Sequence, residues 1–327
     1  MSKSLQIVRL NSKTSPVTEI ESEILASLNA ELIVIEGAAD SEIIEAAKDC
    51  DAIMVVSAYI RKPVIESLTR CKIISRIGTG FDKIDTATAS KKGIVVTNCP
   101  GVFTNEVADH TMALLLSAAR LIRNSDISMR LGRQFDGAKT ISRLSGQNLG
   151  IVGFGAIGQA LAVRAQAFGM NILASDPCIN AEFAKTKNVK LVDFDTIITE
   201  SDYLSLLCPL TESTRYMLTL HQFKKMKPTA VFVNTGRGEL VNEKDLVIAL
   251  KTGLIRYAAL DVFEGINVFK EGGFEATNEL FSLDNVLMTP HMAACSKEAM
   301  QEVFRISSQA VVDVLTGKKP KHPVNMK

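Results

Sequence analysis

The middle of the chain contains a glycine pattern that can bind a phosphate-bearing ligand. The pattern is Gly-x-Gly-x-x-Gly, with its glycines at Gly153, Gly155 and Gly158. An apolar run that predicts a buried strand precedes the pattern at 148–152, and a stretch typical of a helix follows at 159–168. Such a turn lets backbone approach a pyrophosphate, whose charge the helix N-terminus stabilises. Asp176 lies 18 residues after Gly158, where a carboxylate can accept hydrogen bonds from a ribose 2′-hydroxyl and repel a 2′-phosphate. These residues predict a dinucleotide site that favours NAD over NADP; a turn kept only for packing is the competing interpretation.

Two side chains farther along the chain have the chemistry to act on a small acid. Arg237 lies in a glycine-flanked turn after a predicted strand, and a guanidinium there can grip a carboxylate with two hydrogen bonds and polarise the adjacent carbonyl. His291 follows Pro290 just beyond another predicted strand, and an imidazole can give a proton to an alkoxide or take it back. Each residue alone also fits a structural role, a surface ion pair for Arg237 and a packed histidine for His291.

The elements that must position these groups are strands alternating with helices. Strands are predicted at 5–10, 32–35, 52–56, 73–77 and 94–97, and in a second series at 149–152, 171–174, 189–191, 203–206, 230–233, 257–260 and 286–288. One long helix is predicted from about Thr104 to Arg123 and a last one from about Ser296 to Leu315. Because strands alternate with helices, we expect parallel sheets covered on both faces.

The length of 327 residues predicts two domains. The breaker Asn98-Cys99-Pro100-Gly101 marks a boundary, and the last helix can return to the first domain. We therefore expect an α/β protein with two Rossmann-like or flavodoxin-like domains, in which an NAD-binding Rossmann domain at 102–294 is inserted into a substrate domain formed by 1–101 and 295–327. A cleft at the carboxyl ends of the strands is the expected ligand position.

The composition excludes several other classes of protein. The net charge is +1, from 37 basic and 36 acidic residues, which gives no reason to expect a nucleic-acid or anionic-membrane partner. Six cysteines without a Cys-x-x-Cys pair are typical of free thiols in a reducing cytosol, with no metal site. The longest apolar stretch, near 112–119, is far shorter than a membrane span, and the N-terminus leads into a strand, so we expect a cytoplasmic protein. His110 is predicted to be a packed or hinge residue, and His221 and His322 to lie at the surface.

Five segments in chain order together resemble one known family. They are 76–82 (Arg-Ile-Gly-Thr-Gly-Phe-Asp), 153–158, 234–238 (Asn-Thr-Gly-Arg-Gly), 259–263 (Ala-Leu-Asp-Val-Phe) and 289–291 (Thr-Pro-His). The chain is similar, over nearly its whole length, to the D-isomer-specific 2-hydroxyacid dehydrogenase family. That family includes phosphoglycerate dehydrogenase, glyoxylate reductase and the C-terminal binding protein corepressors. The segments around Thr79 and at 291–296 most resemble the corepressor branch.

The resemblance implies roles for the residues at matching positions. Arg237 would orient the substrate carboxylate and carbonyl, His291 would move the proton, and backbone at Gly78, Thr79 and Gly80 would help to hold the carboxylate. NAD would contact Gly153, Gly155, Ala156, Ile157, Gly158, Asp176, Cys208, Pro209, Thr214, Thr235, Gly236, Arg237, Asp261, His291 and Ala293. The resemblance also implies a small 2-hydroxy or 2-oxo acid as substrate, and a homodimer whose contact includes the long helix from Thr104.

One position departs from the family's usual pattern. The glutamate that pairs with the histidine, five residues after the aspartate of Asp-Val-Phe, is replaced here by Ile266. An isoleucine cannot stabilise an imidazolium, so we expect reduction, which needs the protonated histidine, to weaken as the pH rises through neutrality. Glu264, Glu271 and Glu275 are candidate substitutes, and Glu264 is the favoured one. A solvated loop charge is the competing interpretation of Glu264.

Two functions are compatible with these features. The leading hypothesis is an NAD-dependent oxidoreductase that transfers a hydride between nicotinamide and C2 of a small D-2-hydroxy acid or its 2-oxo acid. The alternative is an NAD(H)-sensing interaction protein similar to the corepressors, with little turnover. Ile266 favours the alternative, whereas the presence of both Arg237 and His291 counts against it, because a sensor needs neither side chain.

Overall fold

The structure is a computed structural model that describes residues 4–11, 13, 15–37, 39–135, 137, 141–266, 268 and 273–326. The chain divides into two compact units. Unit 1 comprises the chain up to Phe103 and from Cys295 onward, and unit 2 comprises Thr104–Val268 and Phe274–Ala294. The assignment of these units to substrate and cofactor stays a prediction.

Strands and helices alternate in both units. The strands are β1 (Gln6–Arg9), β2 (Glu31–Val34), β3 (Ala52–Val55), β4 (Ile73–Arg76), β5 (Val95–Thr97), β6 (Asn148–Val152), β7 (Asn171–Ser175), β8 (Lys190–Leu191), β9 (Tyr203–Leu206), β10 (Val231–Asn234), β11 (Tyr257–Leu260) and β12 (Val286–Met288). The helices are α1 (Glu19–Leu25), α2 (Asp40–Ala47), α3 (Lys62–Ser67), α4 (Thr86–Lys91), α5 (Thr104–Ala119), α6 (Ile122–Arg130), α7 (Ala156–Ala167), α8 (Ala181–Thr186), α9 (Phe194–Glu200), α10 (Leu220–Phe223), α11 (Glu243–Lys251) and α12 (Lys297–Leu315).

Unit 1 is built on a parallel sheet with the strand order β2-β1-β3-β4-β5. The strands are short apolar runs whose alternate residues enter two different cores. Ile53 and Val55 belong to one apolar cluster and Ala52 and Met54 to the other, because successive side chains of a strand point to opposite faces. Helix α12 returns from the end of the chain and packs against α1, β3 and β4.

Unit 2 is built on a second parallel sheet with the order β12-β11-β10-β9-β6-β7-β8. Its chain order reverses between β6 and β9, and such a switch point is where open α/β sheets bind ligands. Helices α5 and α7 pack against each other, and α5 also packs on β10 and β11. The predicted fold class, an α/β protein with two parallel sheets, is confirmed.

The predicted long helix from Thr104 to Arg123 is wrong near its end. Helix α5 ends at Ala119, Leu121 adopts the left-handed conformation with φ of 52°, and α6 begins at Ile122. The apolar sequence continues across this break without a glycine or proline, so no local signal marks it. Glu271, one of the candidate substitutes for the missing glutamate, lies outside the described residues.

Candidate active site

The three glycines of the turn after β6 meet different steric demands. Gly153 has φ of +93°, and a Cβ there would lie 2.5 Å from the backbone nitrogen of Cys208. A Cβ on Gly158 would lie 2.4 Å from the carbonyl oxygen of Gly153, so the first turn of α7 can approach the end of β6 only without that side chain. A Cβ on Gly155, the N-cap of α7, would meet no atom within 4 Å. The fold therefore needs Gly153 and Gly158, whereas the space beside Gly155 fits the close approach of a pyrophosphate to a helix N-terminus.

Asp176, which follows β7, is tied to this turn. Its Oδ2 accepts a hydrogen bond from the backbone N–H of Phe154 at 2.8 Å, and its Oδ1 accepts one from Cys178 at 2.8 Å. The side chain is half-buried. Each carboxylate oxygen can accept a second hydrogen bond, so the fixed carboxylate keeps the capacity to bind ribose hydroxyls.

The turn after β9 lies beside the glycine turn, because Gly153 is packed against the backbone of Cys208. The hydroxyl of Thr214 donates to the carbonyl of Pro209 at 2.7 Å and accepts from the backbone N–H of Thr211 at 2.8 Å, which closes this turn. Burial raises the pKa of the Cys208 thiol to about 11. The thiol is therefore neutral near pH 7.

Three neighbouring strands end in register at the same edge of the second sheet. Asn234 of β10 is paired with Leu260 of β11, and Leu260 is paired with Met288 of β12. Arg237 and His291 each follow three residues after these strand ends, and Asp261 follows directly. Strands lie about 5 Å apart, so the strand ends that lead to Arg237 and His291 are separated by roughly 10 Å. The fold thus brings to one edge residues that are 54 positions apart in the chain.

The turn that contains Arg237 is fixed from two sides. The side chain of Asn234 donates to the carbonyl of Arg237 at 2.9 Å and accepts from the N–H of Gly236 at 3.0 Å. A Cβ on Gly238 would lie 2.2 Å from the carbonyl carbon of Phe263, so this glycine permits backbone contact with the segment after β11. The half-buried Arg237 donates through Nη1 to the carbonyl of Gly236 at 2.8 Å, which orients one edge of its guanidinium.

Asp261 organises the loop that contains His291. Its carbonyl accepts from the N–H of His291 at 2.9 Å, and its carboxylate accepts from the N–H groups of Met292 and Ala293, both at 2.9 Å, and from the hydroxyl of Thr289 at 2.6 Å. Burial raises the pKa of this carboxyl group, but the hydrogen bonds outweigh burial and hold the pKa below its ordinary value. The side chain of Asp261 is 1% exposed, whereas the His291 residue is exposed and has φ of 54°. Asp261 therefore supports His291 in a conformation that costs free energy outside glycine.

The structure gives Glu264 one identified side-chain partner, the hydroxyl of Tyr216, which donates to its Oε1. The backbone N–H of Glu264 donates to the carboxylate of Glu243, whose pKa is raised by burial. Ile266 is half-buried and packs against an apolar cluster of unit 2, while Glu275 is exposed. Whether Glu264 replaces the missing glutamate stays a prediction.

In unit 1, Gly78, Thr79 and Gly80 follow β4 and are shaped by the side chain of Arg76. Nε of Arg76 donates to the carbonyl of Gly80 at 2.8 Å, and a Cβ on Gly78, which has φ of +142°, would lie 2.5 Å from Nη1 of Arg76. The hydroxyl of Thr79 donates to the carbonyl of Cys99 at 3.0 Å. The loop therefore has a fixed backbone path at the carboxyl end of a parallel strand.

Sequence reasoning missed two residues of α5 that reach the strand-end loops of unit 2. Nε2 of His110 lies 3.0 Å from Oγ1 of Thr289, and Oγ1 of Thr111 lies 2.7 Å from Oγ1 of Thr235. His110 and Thr289 are separated by 179 positions, and no local pattern signals such a contact. Within the described residues, no group of three or more His, Cys, Asp or Glu side chains is placed to hold a metal ion, and none of the helices there is long and apolar enough to cross a membrane.

Comparisons with known proteins relate the chain to one family. Residues 112–293 match the family model described as the D-isomer specific 2-hydroxyacid dehydrogenase, NAD binding domain. The chain is 39% identical over 319 residues to D-3-phosphoglycerate dehydrogenase of Methanocaldococcus jannaschii, a match that covers 96% of this chain and 59% of that protein. It is 38% identical over 288 residues to glyoxylate reductase of Korarchaeum cryptofilum, with 86% of this chain and 85% of that protein covered.

A solved structure supports the same grouping. The fold is similar, with a TM-score of 0.86, to D-lactate dehydrogenase of Aquifex aeolicus complexed with NAD and lactic acid, at 27% identity and with 98% of this chain and 99% of that chain covered. The relatives named here are oxidoreductases, and the matched segment is the family's nicotinamide-dinucleotide domain. The chain belongs to the D-isomer-specific 2-hydroxyacid dehydrogenase family.

Proposed function

We propose that the protein is an NAD-dependent oxidoreductase that interconverts a small D-2-hydroxy acid and its 2-oxo acid. The observation that carries this proposal is the in-register alignment of β10, β11 and β12, whose ends lead into Arg237, Asp261 and His291. These residue types supply carboxylate binding and proton transfer, and the switch point of the same sheet lies beside the glycine turn after β6.

In this mechanism Arg237 grips the substrate carboxylate and polarises the carbonyl at C2. His291 donates a proton to the C2 oxygen during reduction and accepts it during oxidation. A bound nicotinamide supplies or accepts the hydride at C2. We propose that the backbone of Gly78, Thr79 and Gly80 also holds the substrate carboxylate, supported by the path that Arg76 fixes for this loop.

The cofactor is held, in this proposal, by the start of α7 and by the strand-end turns of unit 2. The open approach at Gly155 supports pyrophosphate binding at the backbone of Ala156 and Ile157, the first two residues of α7. Asp176 accepts the adenosine ribose hydroxyls and disfavours a 2′-phosphate, so NAD is preferred over NADP. The remaining contacts proposed are Cys208, Pro209 and Thr214 on the adenosine side, and Thr235, Gly236, Asp261 and Ala293 at the nicotinamide end.

Steady-state kinetics with NADH and a panel of 2-oxo acids tests the proposal. Glyoxylate, pyruvate, hydroxypyruvate and oxaloacetate form the panel, and loss of NADH absorbance is followed. We expect turnover with at least one acid, and turnover that falls as the pH rises through neutrality. Measurable NADH binding without turnover on any of them would contradict the proposal and favour the sensor alternative, which no observation in the structure or in the named relatives supports.

We also propose that two copies of the chain form a homodimer in the cytoplasm, with a contact that includes α5, the helix that begins at Thr104, and α6, the helix that follows it. No described residue of α6 is buried, and its surface includes Ile122, Ile127 and Met129, which are 54%, 40% and 81% exposed. Leu131, directly after the helix, is 56% exposed. Apolar side chains concentrated on one helix are typical of a protein–protein contact.

A further inference from the structure

His110 lies at one end of a series of hydrogen bonds that the proposed mechanism does not use. Its Nε2 is 3.0 Å from Oγ1 of Thr289 and 3.6 Å from Oδ1 of Asp261. The side chain of His110 is 19% exposed and that of Asp261 is 1% exposed. Thr289 is half-buried, so the series runs from a partly exposed histidine to a buried carboxylate, where an unsatisfied hydrogen-bonding group is costly.

The direction of each hydrogen bond follows from counting protons. Asp261 has a pKa below its ordinary value, so near pH 7 its carboxylate is ionised and can only accept. Thr289, at 2.6 Å from Oδ1, must therefore give its single hydroxyl proton to Asp261. The oxygen of Thr289 can then only accept from His110, so Nε2 of His110 must carry a proton.

The other end of this series of hydrogen bonds is the backbone at His291, the proposed proton-transfer residue, and at the two residues after it. Asp261 accepts from the N–H groups of Met292 and Ala293 with its carboxylate and from that of His291 with its carbonyl. His291 is held at φ of 54°, a conformation that a non-glycine residue adopts only when its surroundings support it. A change in the orientation of the Asp261 carboxylate therefore changes the direction in which the His291 imidazole is presented.

Helix α5 provides a rigid base for this chain. It is 16 residues long and packs against α7, β10 and β11. The next residue of the helix, Thr111, bonds to Thr235 after β10, while its hydroxyl also lies 2.6 Å from the carbonyl of Val107. Consecutive residues of α5 thus contact the loops after β12 and β10, from which His291 and Arg237 come.

We propose that His110 is a positioning residue that, through Thr289 and Asp261, holds His291 in the geometry needed for proton transfer. The inference rests on the proposed function, because it assigns His110 to that reaction. The side chain of His110 needs no contact with substrate for this role. Its contribution is a donated hydrogen bond, so a side chain with a donor at the same position can replace it.

The variants His110→Leu and His110→Gln test this inference, because glutamine keeps an N–H donor near the position of Nε2 and leucine does not. We expect His110→Leu to lower kcat for 2-oxo acid reduction about 10- to 100-fold, because Thr289 loses its donor and the loop that contains His291 is no longer held in one geometry. KM for NADH should change less than kcat, because His110 reaches the proposed nicotinamide contacts Asp261 and Ala293 only indirectly, through Thr289. His110→Gln should recover most of the lost kcat. His221→Leu, on the surface of α10, is the matched control and should leave kcat unchanged.

Amide hydrogen exchange gives a readout that does not need activity. In His110→Leu the amides of Met292 and Ala293 should exchange faster than in the wild-type protein, and in His110→Gln at nearly the wild-type rate. Wild-type protein that turns over no 2-oxo acid would refute the proposed function, while the exchange result would still decide whether His110 orders the loop. Unchanged kcat and exchange in His110→Leu, or equal losses in the leucine and glutamine variants, would overturn the inference.

A second pair of variants tests the same chain from its middle. Thr289→Ser keeps the hydroxyl that links His110 to Asp261, and Thr289→Val removes it. If His110→Leu does not fold, this pair decides the question. We expect the valine variant to have a lower kcat and faster amide exchange at Ala293 than the wild-type protein. The serine variant should keep the wild-type kcat and exchange rate. Equal kcat and exchange in the two variants would overturn the inference.

Discussion

At the scale of single residues, the site depends on carboxylates whose oxygens are already engaged by the protein. Asp176 accepts two backbone N–H groups, and Asp261 accepts two backbone N–H groups and a hydroxyl. These bonds fix the orientation of each carboxylate before any ligand binds. A fixed carboxylate discriminates between ligands better than a mobile one, because it cannot turn away from an unfavourable group.

We predict that Asp176→Ala weakens NAD binding and reduces discrimination against NADP. Loss of hydrogen bonds to a charged acceptor should raise Kd for NAD about tenfold or more, and loss of the negative charge should bring Kd for NADP closer to it. Fluorescence titration with both cofactors measures the two values. Asp193→Ala, which removes another carboxylate bonded to a backbone N–H, is the control. An unaltered ratio of the two Kd values would refute the role of Asp176.

Asp261 gives a prediction about stability in acid. Its pKa is lowered by folding, so its contribution to the free energy of unfolding is complete above the ordinary value of 3.8 and is lost as the pH falls below it. We expect Asp261→Asn to be less stable than wild type by about 2 kcal/mol or more at pH 7, because an amide cannot accept all these hydrogen bonds. Denaturant unfolding should show this difference shrinking below pH 4. A difference that stays constant down to pH 2 would contradict the assignment.

Glu264 is tested by Glu264→Gln. If this carboxylate supports the His291 imidazolium, the variant should be less active. As the pH is raised, its reductase activity should also be lost at a lower pH than that of the wild-type protein. Tyr216→Phe is the companion variant, because it removes the hydroxyl that donates to Glu264 without removing the carboxylate. Full activity with an unchanged pH profile in Glu264→Gln would exclude Glu264 as the substitute.

At the scale of elements, the turn between β6 and α7 contains one glycine that the packing of the fold requires and one that leaves space for a ligand. Gly158 has no room for a Cβ, whereas Gly155 has open space and φ of −71°, which alanine adopts freely. Gly155 and Gly158 are equivalent in the sequence pattern, but glycine is needed at the two positions for different physical reasons.

We predict opposite phenotypes for the two alanine variants of this turn. Gly158→Ala should lower the free energy of unfolding by about 1–3 kcal/mol, because the helix must move away from the strand. Gly155→Ala should cost only about 1 kcal/mol, the usual loss when alanine replaces a better N-cap residue, yet it should weaken NAD binding at least about tenfold by keeping backbone from the pyrophosphate. Thermal unfolding and NAD titration separate the effects, and a Gly155→Ala protein with wild-type NAD affinity would contradict the site.

The sequence predicts local features of the fold better than long-range ones. The strands and the glycine turn follow from apolar runs and from glycine chemistry, which are local properties. The end of α5 at Ala119 follows no such signal, because the apolar pattern continues through Leu121 and tertiary packing decides where the helix breaks. The contact between His110 and Thr289 depends on the order of strands in the sheet, which the sequence pattern does not specify.

At the scale of the whole molecule, the proposed homodimer depends on the exposed apolar surface of α6. We predict that Met129→Glu, which places a charge on this surface, converts the dimer to a monomer by raising the dissociation constant at least about 100-fold. Ile248→Glu on α11, where the exposed fraction is 42%, is the matched control. Analytical ultracentrifugation measures both. A monomeric wild-type protein, or a Met129→Glu protein that stays dimeric, would contradict the predicted contact.

Transfer of deuterium from NADH labelled at the transferring position of its nicotinamide tests the central claim most directly. With a 2-oxo acid that the protein turns over, the account predicts a D-2-hydroxy acid that carries the deuterium at C2. It also predicts that Arg237→Gln and His291→Gln still bind NADH but transfer the label about 10²- to 10⁴-fold more slowly. Deuterium that never appears at C2 of a 2-hydroxy acid product, or transfer in both variants at the wild-type rate, would contradict it.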